Sequence, residues 1–362
     1  MLEVLLDRWG DGAVLAIAGA VVGVIFGAAA QHSRFCLRAA SVEVSEGVLG
    51  PRLYIWLIAF SAAVASVQGL VATGWLDVST SRQLATTGSM SGAIIGGLMF
   101  GCGMILARGC ASRLLVLSAT GNLRALVTGL VLTLAAQAAL RGVLAPAREG
   151  LASLWMVPGG AARDLLAWLG LSHTVAAGLA AAALVLSLAL ARRQLVPLSR
   201  SLAAVCVGLA IALGWAATFA IAQASFEVVP ISSITFTGPA TDTLMGLVDN
   251  ISLPLGFGIG LVPGVFVGAG LTALAAREAK IERFGPDTPM ERYLIGAVLM
   301  GFGSMLAGGC AVGAGMSGGS VFAVTGWLAV FCMWIGAMAT HRLLGSAKGG
   351  AKRAAPITPP VA

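Results

Sequence analysis

The chain has 362 residues, 58% of them hydrophobic and only 10% charged, with 49 glycines and a formal net charge of +7. A soluble domain carries roughly 25% charged residues, so this composition excludes a soluble protein, and the basic excess reads as membrane topology and not as a surface for nucleic acid. Its six cysteines do not read as a disulfide framework, since four of them lie inside or at the ends of apolar runs.

About 20 apolar residues cross a bilayer. On that measure nine spans are predicted, over residues 13–30, 53–73, 91–107, 123–140, 173–191, 202–222, 255–276, 293–307 and 322–344. Ala28-Ala29-Ala30 looks like a signal-peptidase site, yet Glu3, Asp7 and Asp11 precede it with Arg8 alone, the wrong charge for a signal peptide. The first span is therefore read as uncleaved, and its Gly19, Gly23 and Gly27 as a helix-packing face. Residues 141–172, with Pro146, Pro158 and two tryptophans, predict an external loop. Residues 224–252 are too polar to cross and too apolar for an ordinary loop, which predicts a re-entrant turn and a short helix starting near Pro239. Residues 345–362 read as a disordered cytoplasmic tail, leaving 1–344 as a single integral membrane domain.

An odd number of spans puts the termini on opposite sides. Seventeen Lys and Arg then fall on the C-terminal side and five (Arg8, Arg82, Arg141, Arg148 and Arg163) on the N-terminal side. The positive-inside rule makes the C-terminus cytoplasmic and the N-terminus external.

One stretch is written twice. Gly101, Gly103, Leu106, Ala107, Gly109, Cys110 and Ala111 recur, without a gap, as Gly301, Gly303, Leu306, Ala307, Gly309, Cys310 and Ala311. The two copies sit on spans that run in opposite directions. The expected fold is thus an all-α polytopic protein with short re-entrant helices and an inverted pseudo-two-fold repeat, spans 1–4 (about 13–141) matching spans 6–9 (about 202–344). Ala30-Gln31-His32-Ser33-Arg34-Phe35-Cys36 aligns with Ala222-Gln223-Ala224-Ser225-Phe226-Glu227, so the counterpart of Cys36 is Glu227 or nothing.

Each glycine-rich junction is read as the end of one helix and the start of another, where unpaired N–H groups and the dipole attract anions. A thiol there offers a soft, polarizable donor suited to a sulfur-bearing anion. The predicted pathway residues are Cys36, Cys110, Cys310, Gly109, Gly309, Arg108, Gln31 and Thr237. Gln223 and Asn250 are weaker candidates. Arg34, Arg38, Arg108 and Arg113 either draw an anion inward or are ordinary positive-inside arginines. Cys102, Cys206 and Cys332 are read as packing residues. His32 and Cys36 fall far short of a metal set, so no metal or cofactor is expected.

Phe35-Cys36, the two Gly-Cys-Ala junctions and Ser233…Phe236-Thr237-Gly238-Pro239 resemble the YeeE/YedE-type sulfur-transport family over nearly the whole chain. The resemblance implies an hourglass-shaped helical fold in the inner membrane, thiosulfate or a related sulfur anion as substrate, and its passage by hydrogen bonds to Cys36, Cys110 and Cys310. It also implies lipid around the chain and a cytoplasmic sulfur-carrier protein as acceptor. Selenium compounds are the alternative cargo. The competing class is a membrane thiol-redox or sulfurtransferase enzyme using the paired cysteines; the absence of a Cys-x-x-Cys pair and the symmetric placement put transport, not an enzyme, ahead.

Overall fold

A computed structural model of the chain describes residues 2–249, 255–283 and 289–353. Among the described residues nine helical segments are long and apolar enough to cross a membrane: Asp11–Ser45, Pro51–Ala72, Met90–Ala119, Leu123–Arg141, His173–Arg193, Leu198–Ala224, Phe257–Ala275, Met290–Ser320 and Val324–Gly345. They fall on the nine predicted spans, and the chain is a multi-pass membrane protein. Three of the segments are interrupted. The first divides into α1 (Asp11–Ser33) and α2 (Leu37–Ser45). The third divides into α4 (Met90–Leu106) and α5 (Ala111–Ala119), after α3 (Pro51–Ala72). Then come α6 (Leu123–Arg141), α7 (His173–Arg193), α8 (Leu198–Ala224), α9 (Thr237–Asp249) and α10 (Phe257–Ala275). The eighth divides into α11 (Met290–Leu306) and a π-helical turn at Ala311–Ser317, and α12 (Val324–Arg353) closes the order.

Between lipid-embedded helices there is little hydrophobic drive, so close backbone approach supplies the packing energy, and glycine permits it. Gly19, Gly23 and Gly27 recur every fourth residue on one face of α1. A Cβ on any of them would strike the carbonyls of Phe257, Leu261 or Val265 of α10, while Gly260, Gly264 and Gly268 of α10 face the Ala16, Ala20 and Val24 carbonyls in return. The predicted packing face is real, and its partner is α10.

Helices α4 and α11, which carry the doubled sequence, cross through glycines as well. A Cβ on Gly96 would lie 2.5 Å from the Gly303 oxygen and one on Gly303 2.7 Å from the Gly96 oxygen. Gly103 and Gly296 repeat the contact at 2.6 and 2.7 Å. On its other side α4 rests against α12, where a Cβ on Gly97 would lie 2.7 Å from the Ala329 oxygen, and α11 rests against α6, where a Cβ on Gly301 would lie 2.5 Å from the Leu132 oxygen. Phe26 and Phe236 pack at 5.2 Å between ring centres in the fully buried core with Trp215, Phe100 and Met104.

The expectation of a purely helical chain needs one correction. Gly88–Ser89 and Met156–Val157 form a two-residue antiparallel ribbon, which gives backbone polar groups partners where two loops cross. The predicted external loop also holds helices at Ala145–Ala152 and Leu165–Leu169. Cys206, read as a buried packing residue, is exposed, whereas Cys332 is buried and Cys102 donates to the Gly336 oxygen at 3.6 Å. The short helix expected near Pro239 is α9, and α12 runs on past Gly345 to Arg353. Asn250 and residues 354–362 of the predicted tail lie outside the described residues.

Candidate functional site

The three interrupted segments break in one way. Each first helix ends on a residue in the left-handed region: Arg34 at φ 57°, Arg108 at 56° and Gly308 at 79°. The next amide then reaches back five residues to close the helix end, Phe35 to the Ala30 oxygen at 3.2 Å, Gly109 to Met104 at 3.2 Å and Gly309 to Ser304 at 2.8 Å. The residue after that is the cysteine. Cys36, Cys110 and Cys310 are extended, and each lends its carbonyl to the first amide bond of the following helix, to Ala40 at 3.2 Å, Leu114 at 2.9 Å and Ala314 at 2.8 Å. Each cysteine therefore occupies the N-cap position of a helix, where free N–H groups and the dipole favour negative charge, and of the three sulfurs only that of Cys310 takes a capping bond.

All three cysteines are buried. The side chains of Cys36 and Cys110 are neighbours, and the charges of Arg113 and Arg38 act on Cys36. The Cys110 sulfur also lies 3.4 Å from the Ser112 hydroxyl. The Cys310 sulfur accepts from the Gly313 amide at 3.5 Å, which leaves its S–H free to donate. Gly109 and Gly309 are buried at the tight passage before each cysteine; a Cβ on Gly309 would meet the Ala314 nitrogen at 2.7 Å.

Arg108 is exposed at its turn, and it carries backbone strain that Gly308 avoids. A left-handed non-glycine residue costs roughly 1 kcal/mol. Arg108→Gly is expected to regain about that amount, read as a raised apparent melting temperature in detergent, while the break survives. A variant no more stable than wild type contradicts the strain assignment.

Beside Gly308 opens a cavity of about 230 Å³, lined by Arg82, Gln83, Arg148, Arg163 and Thr325 among others. Arg82 donates to the Gly308 oxygen at 3.3 Å. Arg163 is 6% exposed; it donates to the Thr86 oxygen at 2.7 Å and the Thr325 hydroxyl at 2.7 Å, and its Nε has no partner among the described residues. Burial first, and Arg82 second, hold its pKa below the usual guanidinium value. Three arginines thus line one concavity on the Cys310 side.

On the face that holds Arg34, Gln31 is buried at 6% exposure. It donates to Glu278 at 3.0 Å and accepts from Arg113 at 3.3 Å, and Arg34 pairs with the other Glu278 oxygen at 2.9 Å. The loop bearing Glu278 is fastened to the α5–α6 turn, Lys280 N–H to the Thr120 oxygen at 3.1 Å and Glu282 N–H to the Gly121 oxygen at 3.0 Å. Arg38 keeps a buried Nε without a partner among the described residues.

Thr237 begins α9 with its hydroxyl buried and unpartnered among the described residues, so it stands at a helix N-terminus as the cysteines do. It lines an apolar cleft of about 220 Å³ with Phe236 and Ala111, the residue after Cys110. The sequence alignment of Cys36 with Glu227 does not hold in space. Glu227 is exposed and bonded to Ser225, and the residue that precedes α9 as Cys36 precedes α2 is Phe236. Gln223 is exposed.

The family model for sulphur transport matches residues 32–339. The chain belongs to the sulphur transport family. Within that family it is similar to the thiosulfate transporter TsuA of Escherichia coli strain K12, 27% identical over 346 residues that cover 88% of this chain and 92% of the relative. It is also similar to the thiosulfate transporter TsuA of Spirochaeta thermophila, 29% identical over 329 residues, 86% of this chain and 93% of the relative. The resemblance drawn from the cysteine junctions is thus borne out, and membership in a family of transporters makes this chain a transporter and not an enzyme.

Sequence reasoning missed Arg82, Arg163 and Glu278. The signal for the two arginines was available. They are among only five basic residues on the sparsely charged side, where an arginine calls for a local reason. Glu278 gave none, because its role depends on a loop folding back across 244 residues to Arg34.

Proposed function

We propose that this member of the sulphur transport family takes up thiosulfate across the bacterial inner membrane, with an external N-terminus and a cytoplasmic C-terminus. The anion enters the arginine vestibule beside Gly308, passes the Cys310 thiol, then the Cys110 and Cys36 pair, and leaves past Arg34, Arg108 and Arg113. The single observation that carries this reading is the threefold junction of left-handed residue, spacer and cysteine, each thiol at a helix N-terminus. Gln31 and the Thr237 hydroxyl supply further donors along the way, and Gly109 and Gly309 keep the passage open to backbone. A bond from a neutral donor to an anion is worth about 1.5–3 kcal/mol. Several such weak donors in series hold the anion without trapping it, as conduction requires.

The same reading makes residues 1–344 one transport unit with an inverted repeat and an hourglass profile, a vestibule at each face and the cysteines between. The reciprocal Gly96–Gly303 and Gly103–Gly296 contacts support the pseudo-two-fold axis, since exchanging the two copies (96 for 296 and 303 for 103) turns one pair into the other. Lipid surrounds the spans, and a cytoplasmic sulfur-carrier protein is the natural acceptor for the reactive sulfur delivered.

The test is uptake of sulfur-labelled thiosulfate into cells lacking their own uptake system. Uptake competed by unlabelled thiosulfate, and not by equal selenite or sulfate, is expected. A well-expressed protein that takes up no thiosulfate overturns the substrate and shifts it to selenium compounds or other sulfur anions.

A further inference from the structure

At the mouth beyond Cys36 and Cys110, one carboxylate does what a passing anion would do. Glu278 accepts from Gln31 Nε2 at 3.0 Å through one oxygen and from Arg34 at 2.9 Å through the other. Arg113 donates to Gln31 Oε1 at 3.3 Å, which orients the amide so that its N–H groups face the carboxylate. Gln31 and Arg34 stand on the last turn of α1 and just past it, and Arg113 on the first turn of α5, so the donors are held by the two helix breaks themselves. Glu278 stands just past α10, after Arg277 in a left-handed turn at φ 55°, and its own amide closes that helix on the Ala273 oxygen at 2.8 Å. The backbone is held on both sides, so the part free to exchange is the half-exposed carboxylate arm.

We propose that Gln31, Arg34 and Arg113 form an inner binding site for a divalent oxyanion, and that Glu278 is its resident, exchangeable occupant. The inference rests on the reading that an anion leaves by this mouth, and it goes further by giving the mouth a site and a competitor. An anion arriving from the thiols meets two guanidinium groups and an amide already arranged around a carboxylate. It displaces Glu278, is held, and is expelled when the tethered carboxylate returns. The exchange is feasible because the pair is shallow. The Arg34 and Glu278 side chains are 55% and 39% exposed, and an ion pair in such a setting is held by only about 0.2–1 kcal/mol. A deeply buried pair would instead act as a permanent staple. Without the returning carboxylate the cradle keeps its anion.

The experiment is equilibrium binding of sulfur-labelled thiosulfate to the purified full-length protein in detergent at low ionic strength, with uptake by wild type measured alongside. Glu278→Gln retains an acceptor for Gln31 and Arg34 but removes the competing charge. It is expected to bind thiosulfate about fivefold more tightly at one additional site, the fold-change that about 1 kcal/mol of lost competition gives. The gain should vanish in Glu278→Gln/Arg34→Gln. Binding identical to wild type, or a gain that survives loss of Arg34, overturns the inner site.

A second reading does not need the Glu278 variant. Thiosulfate loaded inside proteoliposomes should inhibit wild-type uptake through the cradle, and Arg34→Gln should relieve that inhibition severalfold; equal inhibition overturns the proposal. The two hypotheses separate cleanly. Wild-type uptake with no gained site sinks the cradle alone. A gained site in a protein that transports no thiosulfate sinks the substrate reading alone.

Discussion

Cys110→Ala is expected to lower thiosulfate uptake at least about tenfold while the protein remains folded. The thiol sits at the N-terminus of α5, beside the Cys36 thiol and 3.4 Å from the Ser112 hydroxyl. Losing one donor of about 1.5–3 kcal/mol from the pathway corresponds to roughly ten- to hundredfold in rate. The substitution removes a single buried sulfur, and Ala111 next to it already tolerates a methyl group, so the packing cost stays near 1 kcal/mol. Size-exclusion profile and melting temperature close to wild type, with uptake lost, is the expected pair of results. Normal uptake in both Cys110→Ala and Cys310→Ala removes the thiols from the mechanism.

Gly260→Val is expected to have the opposite signature, loss of the protein itself. Gly260 of α10 faces the Ala16 carbonyl of α1 more closely than any Cβ could, and Gly264 and Gly268 continue the same face against Ala20 and Val24. Valine there must push two backbones apart along a contact that spans the bilayer. Overpacking of this kind costs typically 1–3 kcal/mol and more where backbone must move. The expected outcome is little folded protein after detergent extraction, with any residual molecules transporting normally. A stable, abundant Gly260→Val protein contradicts the close α1–α10 approach. Gly270 makes a contrast on the same helix, since a Cβ there meets nothing nearer than the Ala119 oxygen at 3.5 Å; Gly270→Ala should be silent.

How much of this was legible before the fold depends on whether the signal was local. The nine spans follow from length and apolarity alone, and the helix-packing face at Gly19, Gly23 and Gly27 from spacing. The junctions at Cys110 and Cys310 were legible because seven of eleven consecutive positions around them recur. The shared break geometry was half visible. Gly308 is an obvious left-handed residue and the repeat places Arg108 at its equivalent position, but nothing in the sequence marks Arg34 as a third, because an arginine carries no local sign of a left-handed backbone. The Glu227 alignment failed for a related reason. A non-helical segment of twelve residues, 225–236, separates α8 from α9, so the residues at the start of α9 are Phe236 and Thr237, beyond the reach of a comparison that allows one residue of slippage. That segment is fixed by contacts distant in sequence, Ser317 to the Ile234 oxygen at 2.7 Å and Ser233 to the Ile211 oxygen at 2.6 Å. The vestibule arginines and Glu278 acquire their roles only when loops from different spans meet.

The proposed path has three thiols, and the junction before α9 differs from the other three. Phe236 packs in the core against Phe26, and the adjacent Thr237 offers a hydroxyl where the other junctions offer sulfur. The donors of the proposed path thus differ in softness, which would suit an anion with a sulfur end and an oxygen end.

The most direct test of the central claim is the infrared S–H stretching band of the purified protein, which reports thiol hydrogen bonding without altering the chain. Saturating thiosulfate is predicted to shift part of that band to lower frequency as Cys36, Cys110 and Cys310 donate to the anion. The shift should shrink with each cysteine replaced by alanine and should not appear with sulfate. A band that stays unmoved by thiosulfate, in a preparation that transports it, contradicts passage along the thiols.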